Sequence, residues 1–292
     1  MLSIIIPAYR EPYLNKTIDS LLKNAVGEIE ILPVIDGYTP TEPVRVDPRV
    51  KPIIVKKNAG MRAAENLGIS KAIGEYILQC DAHCVFAKGY DKVLIEDCED
   101  NWLMIPSRYF LDEKNWDRIG GRHPSNYHYL SFPLETSYGL GMWVSEWQDR
   151  REERKEYDID DDMTMQESCW FANKKYFMEH IWPLDDRPET YGSFVAANLE
   201  IGLKYWLGGG AVKINKRTWY AHLDKRGHHY MKRMFSRRHK KDEYVVKCFT
   251  WATKHWINDR EPNMIHPFSW LIEKFNPPGW EGDWEKRIAK FK

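Results

Sequence analysis

The sequence predicts an α/β fold: a largely parallel sheet with helices on both faces. Short apolar, β-branched runs alternate with amphipathic helical patterns through the first hundred residues. Strands and helices in that alternation build a parallel sheet through right-handed crossovers. Two of the apolar runs end in acids, and such sheets bind ligands at the carboxyl ends of their strands.

Leu2-Ser3-Ile4-Ile5-Ile6, closed by Pro7, has the apolar character of a strand buried on both faces. Glu11-Pro12 opens a helical pattern with Leu14, Ile18, Leu21 and Leu22 on one face. Glu30 to Asp36 is the second strand, stopped by Gly37, and Pro33 inside it predicts an edge position or a bulge. Ile53-Ile54-Val55 is a third strand. Gly60 to Ile73 is a second helix, with Ala63, Ala64, Leu67 and Ala72 as its small apolar face. Tyr76 to Leu78 then form a strand whose tip carries Asp81-Ala82-His83. The period of two in extended chain puts Asp81 and His83 on one side. A hard oxygen ligand beside a nitrogen ligand suits a divalent metal such as Mn2+. Alone, Asp-x-His is more often a polar turn; the flanking pattern favours the metal. Asp36 and Asp81, both at strand ends, should face one crevice, and Arg62 adds a cation near the start of the second helix.

Lys plus Arg and Asp plus Glu are both 43 in 292 residues, which argues against a wholly basic nucleic-acid-binding protein. Five cysteines without a CxxC pair read as mostly free thiols of a reducing compartment. No signal peptide precedes Leu2, and no apolar run approaches the roughly 20 residues that span a bilayer, so the expected location is cytoplasmic. The Gly-x-Gly-x-x-Gly and Gly-Lys-Ser/Thr phosphate loops are absent, which removes the usual dinucleotide and P-loop readings. A nucleotide can still bind if a metal on Asp81 and His83 neutralises its diphosphate.

Ser3-Ile4-Ile5-Ile6-Pro7-Ala8-Tyr9-Arg10-Glu11 resembles the opening of a family-2-type glycosyltransferase with the GT-A (Rossmann-like) fold. Val34-Ile35-Asp36-Gly37 resembles the strand whose acid holds uracil or ribose there, and Asn58 to Gly68 resembles the next helix. Asp81-Ala82-His83 stands where that superfamily has its metal motif; the Asp-x-His form is similar to the polypeptide N-acetylgalactosaminyltransferases. The resemblance implies a UDP-sugar donor, Mn2+ (or Mg2+) and retention at the anomeric carbon. It implies a nucleotide site drawn from Pro7, Tyr9, Glu11, Asp36, Arg62 and Asp81. It covers residues 2 to 90 and 163 to 231.

In the second stretch, Met165 to Phe177 resembles a segment that lines the sugar pocket, with two glycines replaced by Glu167 and Ser168. Tyr191 to Ile201 resembles a motif of which Asn198, Leu199 and Glu200 match, whereas its first Glu becomes Ala197. Glu200 or Glu167 stands in for that carboxylate, and Glu200 is equally readable as a helix residue that fixes a loop. Leu199 to Trp206 is a helix ended by Gly208-Gly209-Gly210, and Ala211 to Ile214 a short strand. The resemblance makes His222 the third metal ligand beside Asp81 and His83. It makes Lys225, His228 and Tyr230 a loop that closes over the diphosphate. The leaving phosphate then accepts the acceptor's proton, and no protein base is needed.

Residues 100 to 162 lack a clean period; Trp116 to Ser137 reads as a long loop, and Glu152 to Asp162 as a solvated acidic face. The expected organisation is a catalytic domain over 1–240 and a small helical extension over 241–292 that packs on it and shapes the acceptor side. The expected partners are a nucleotide sugar and a macromolecular acceptor bearing a hydroxyl, on protein or glycan. Lys225 to Lys241 holds eight Lys or Arg and three His interleaved with Tyr230 and Phe235. That stretch raises a hydroxylated base in DNA as an alternative acceptor. Ala197 and the lost glycines leave a catalytically inactive sugar- or nucleic-acid-binding module as the reading of another class.

Overall fold

The computed structural model describes residues 1–136, 139–194, 196–224 and 239–292. The chain opens with β1 (Leu2–Ala8), α1 (Leu14–Asn24), β2 (Ile29–Asp36), β3 (Ile53–Val55) and α2 (Met61–Lys71). Next come β4 (Tyr76–Cys80), β5 (Cys84–Phe86), α3 (Tyr90–Asp97), β6 (Trp102–Asp112) and β7 (Asp117–Arg118). Four short strands follow: β8 (His128–Leu130), β9 (Leu134–Thr136), β10 (Gly139–Gly141) and β11 (Val144–Glu146). Then come α4 (Gln148–Glu153), β12 (Ile159–Asp161), β13 (Cys169–Asn173), α5 (Lys174–His180), α6 (Ala197–Leu207) and β14 (Ala211–His222). The described chain ends with α7 (His239–Ile257), α8 (Phe268–Phe275) and α9 (Trp284–Ile288).

Among the described residues, ten strands form one sheet of order β12-β14-β6-β13-β4-β1-β2-β3, with β5 paired to β14 and β7 to β6. β3, β2, β1 and β4 run parallel, as do β6 and β14. β13 joins the two halves, antiparallel to both its neighbours. Ile4 and Ile6 of β1 meet α1 and α3 on one face, while Ile5 meets α2 on the other. A strand covered on both faces needs apolar side chains at nearly every position, which explains the unbroken run at the start of the chain.

β2 is not an edge strand, because β3 lies outside it. Ile31 turns its N–H and C=O toward Arg49 and Lys51, so Pro33, two residues on, turns its nitrogen the same way. That position falls between the Ile31–Val50 bridge and the ladder that begins at Val34–Ile53. The missing donor therefore costs one bond on the short edge-strand side, and no bulge is needed.

The stretch that resisted reading contributes β6, eleven residues at the middle of the sheet, whose apolar pattern is interrupted by Pro106 and Arg108. The acidic run is exposed over most of Glu152 to Asp158, as a solvated face requires, but not at its end. Asp160 and Asp162 are buried; Arg154 meets Asp160 at 2.7 Å, Lys213 meets Asp161 at 2.6 Å, and His128 meets Asp162 at 3.4 Å. Beyond residue 240, Trp256, Phe268, Leu271 and Trp280 enter the same core as α6. The indole nitrogens of Trp256 and Trp280 donate to the Tyr191 hydroxyl (2.7 Å) and the Leu130 carbonyl (2.8 Å). All five cysteines are unpaired. Among the described residues, no helix is long and apolar enough to cross a membrane.

Gly68 lets α2 lie against the sheet. A Cβ there would stand 2.5 Å from Cγ2 of Ile5 and 3.3 Å from Cγ2 of Val34. Gly68→Ala should therefore destabilise the fold by about 1–3 kcal/mol despite the better helix propensity of alanine. Denaturant unfolding measures this, and a more stable variant would refute the close approach.

Candidate metal and nucleotide site

The tip of β4 and the end of β14 meet at the carboxyl ends of the parallel strands. β5 pairs antiparallel with β14, setting Cys84 opposite His222, and the Leu223 N–H donates to the His83 carbonyl at 3.1 Å. The Asp81 N–H donates to the Ser168 carbonyl at 2.9 Å, which fixes the turn from the other side. The outcome is a cluster in which one ligand atom each from Asp81, His83 and His222 lies within 4.8 Å of the others. Nε2 of His222 is 3.0 Å and Nε2 of His83 3.6 Å from Oδ2 of Asp81. Burial pushes the His222 imidazole down to about 4, against the pull of Asp81. His222 is thus neutral at pH 7, the form that ligates metals. One carboxylate oxygen and two imidazole nitrogens, half-buried and converging, fit a divalent cation of the Mn2+ type.

Glu11 is placed on this cluster. Its Oε2 lies 3.2 Å from Nδ1 of His83, which holds the ring with Nε2 toward Asp81. Arg108 lies behind the other imidazole, with Nη2 3.2 Å from Nδ1 of His222. Pro7 lies within β1, and Tyr9, just beyond that strand, is exposed and meets Tyr38 edge to face at 6.0 Å. Asp36 is buried: its carboxylate accepts from Asn58 Nδ2 (2.7 Å), Ala59 N (2.8 Å) and Gly60 N (2.9 Å). It shapes the loop that leads into α2, a nearer role than the expected contact with uracil or ribose.

The structure corrects the reading of Arg62 and Glu200. Both are fully buried and paired with each other. Glu200 also accepts from Lys204 Nζ (2.9 Å) and from the Asp185 N–H (3.0 Å). Arg62 lies over the Tyr191 ring at 4.7 Å. A carboxylate so enclosed joins α2, α6 and the 185 loop and does not reach a sugar, so the loop-fixing alternative holds for Glu200. Glu167 is better placed. Its carboxylate accepts from the Asn198 N–H at 3.0 Å, at the head of α6 beside Ala197. Burial raises its pKa, and the charge of Asp81 adds to that rise. The Asn198 side chain is buried with Oδ1 unmatched by any protein donor. Lys225, His228 and Tyr230 lie outside the described residues.

Sequence reasoning missed Glu65. It is buried on α2 with neither carboxylate oxygen bonded to a protein group. Burial pushes it up to about 8; Arg62 opposes this, while Glu167, Asp81 and Glu200 add to it. No motif marks such a residue. The one signal was an acid on the inner, small-residue face of an amphipathic helix.

The profile of glycosyl transferase family 2 matches residues 3–181, and the chain belongs to that family. The chain is 35% identical over 113 residues to an uncharacterized glycosyltransferase, EpsJ, of Bacillus subtilis (36% of this chain, 32% of that protein). It is 23% identical over 239 residues to polypeptide N-acetylgalactosaminyltransferase 12 of Mus musculus (76% and 39%). It thus spans less than two fifths of either relative's length. Among solved structures, GalNAc-T7 with UDP, GalNAc and Mn2+ superposes with TM-score 0.63 at 15% identity, covering 94% of this chain and 56% of that one. S. aureus TarS 1-349 in complex with UDP-GlcNAc gives 0.56 at 15% identity (99% and 80%). At these identities the likeness is one of fold, and the fold is GT-A.

Two substitutions test the buried charges. Glu200→Gln leaves Arg62 enclosed without its counter-charge and should cost about 3–5 kcal/mol in denaturant unfolding. A loss below about 1 kcal/mol would argue against the pairing. Glu65 has its folded pKa raised from 4.5 to about 8, so the folded state keeps a proton that the unfolded chain has released across that window. Stability should therefore fall as pH rises through it. Glu65→Gln, neutral throughout, should gain on the wild type between pH 5 and pH 8 in thermal melts; a difference independent of pH would contradict the buried neutral acid.

Proposed function

We propose that this member of glycosyl transferase family 2 is a metal-dependent enzyme. It moves a hexose or N-acetylhexosamine from a UDP-sugar to a hydroxyl of a macromolecular acceptor, with retention at the anomeric carbon. The observation that carries this reading is the convergence of Asp81, His83 and His222 at the carboxyl ends of a GT-A sheet. These residues would hold Mn2+, and the mixed oxygen and nitrogen donors favour it over Mg2+. A divalent ion there supplies charge that neutralises the diphosphate and stabilises the leaving group. Glu11 keeps the His83 ring oriented. Tyr9 and Tyr38, at the ends of β1 and β2, offer an aromatic wall for a base. Glu167, at the head of α6, is the carboxylate available to sugar hydroxyls in place of the one missing at Ala197.

An N-acetylhexosamine is favoured within the donor class, because the two solved neighbours were seen with GalNAc and with UDP-GlcNAc. Residues 1–240 act as the catalytic part, with Lys225, His228 and Tyr230 closing over the diphosphate to exclude water. Residues 241–292 shape the acceptor side. A hydroxylated base in DNA is the second acceptor reading, favoured by the basic, aromatic stretch from Lys225 to Lys241.

Calorimetry with UDP should show binding that requires Mn2+ and vanishes with chelation. A panel of UDP-hexoses and UDP-N-acetylhexosamines should show slow hydrolysis of one donor without acceptor. His83→Ala should lower both by roughly a hundredfold. Binding without turnover of any donor would favour the inactive module, and UDP binding indifferent to Mn2+ and to His83→Ala would refute the metal site.

A further inference from the structure

Arg108 is 3% exposed, and no carboxylate among the described residues pairs with it. Its contacts are Nη2 to Nδ1 of His222 at 3.2 Å and the ring of Phe110, 4.9 Å from the guanidinium carbon. Its Nε is buried with no protein partner. Arg62 meets Glu200, Arg154 meets Asp160 and Arg217 meets Asp97, whereas Arg150, its Nε also buried and unmatched, has a backbone carbonyl and aromatic rings and no carboxylate among the described residues. A guanidinium stays charged at any pH a protein meets, and enclosing it without a counter-charge is costly. Such a residue is retained where an anion completes it, and its planar fork suits phosphate oxygens.

We propose that Arg108 binds the diphosphate of the donor nucleotide. The inference rests on the donor reading above. The geometry supports it twice. Arg108 adjoins His222 on its Nδ1 side, one imidazole away from the proposed metal. Phe110, the β-register partner of His222, keeps the guanidinium on that side of β6. Because Arg108 can only donate, its bond to Nδ1 makes that nitrogen an acceptor and leaves the neutral ring's proton on Nε2, facing Asp81. His222 can ligate through Nε2 only with the proton on Nδ1, where it would confront the Arg108 N–H. With a metal on Nε2, Arg108 would lose Nδ1 as an acceptor, and phosphate oxygens would supply its replacement.

The test uses the full chain, with Arg108→Gln and Arg108→Lys beside the wild type. Calorimetry measures Mn2+ alone and UDP with Mn2+, and thermal melts are taken with and without UDP. The expected result for Arg108→Gln is a ligand-free melting temperature equal to or above that of the wild type. Its affinity for Mn2+ alone should be unchanged or tighter, and its affinity for UDP weaker by roughly tenfold or more. Arg108→Lys, which keeps the charge and loses the fork, should fall between and serves if the glutamine variant does not fold. UDP affinity within about twofold of the wild type in both variants would overturn the proposal. So would a lower ligand-free melting temperature with UDP binding intact, the mark of a structural arginine. A wild type that binds no UDP in Mn2+ would overturn the donor reading itself, a result distinct from variants that bind as the wild type does.

Discussion

The candidate site depends on the pairing of β5 with β14. Asp81 and His222 are 141 residues apart, and three-residue β5 is what brings them within 3.0 Å. So short a strand has little ladder of its own to hold it. Its other edge is satisfied from α1: Thr17 Oγ1 accepts from the Cys84 N–H at 2.9 Å and Ser20 Oγ from the Phe86 N–H at 3.0 Å. Thr17 and Ser20 are one helical turn apart on one face of α1, so their spacing matches alternate residues of an extended strand. The first helix, which touches no metal ligand through these groups, thus sets the register of the turn that carries two of them. Both hydroxyls sit on the buried, otherwise apolar face of an amphipathic helix, where burying a polar group is unfavourable unless it is bonded.

A second constraint is electrostatic. Carboxylates gather beside the cluster, where Asp81, Glu167 and Glu200 all raise the Glu65 carboxyl, and Asp36 closes β2. They are resolved in three ways. Asp36 is surrounded by amide donors from the loop it organises. Glu200 takes Arg62 and Lys204. Glu65 has neither arrangement and stays neutral, which removes one negative charge from a region already rich in them. Arg62 is therefore occupied in holding α2 to α6.

How much of this was legible in the sequence follows from the range of each signal. The parallel sheet and the Asp81–His83 pairing rest on local periodicity, and both appear in the structure. His222 was reached only through family resemblance, because the strand that bears it reads as two pieces: β14 has a register shift between Asn215 and Trp219 that breaks its alternation. β6 escaped because Pro106, Ser107 and Arg108 interrupt its apolar run, and Arg108 escaped with it. The ion pair of Arg62 and Glu200 links residues 138 positions apart, and no pattern in either segment announces it. The acidic run ending at Asp162 was misjudged for the same reason. Arg154 lies within the run, but the cations on Asp161, Lys213 and Lys274, come from a distant strand and helix.

Buried polar groups without partners among the described residues occur in many parts of the chain, Trp116, Arg150, Trp182 and Tyr205 included, and four of them stand on elements that build the candidate site. Glu65 and Gln79 lack partners for both side-chain polar atoms, and Asn198 Oδ1 and Arg108 Nε are likewise unmatched. Gln79 lies two residues before Asp81 on β4, and Asn198 opens α6 beside Glu167. Each such group weakens the fold relative to a paired or apolar one. A chain selected for stability alone would fill these positions with side chains like those of Ile5 and Ile77 beside them. Glu65, Gln79, Asn198 and Arg108 stand on α2, β4, α6 and β6, elements that carry or adjoin Asp81, Glu167 and His222.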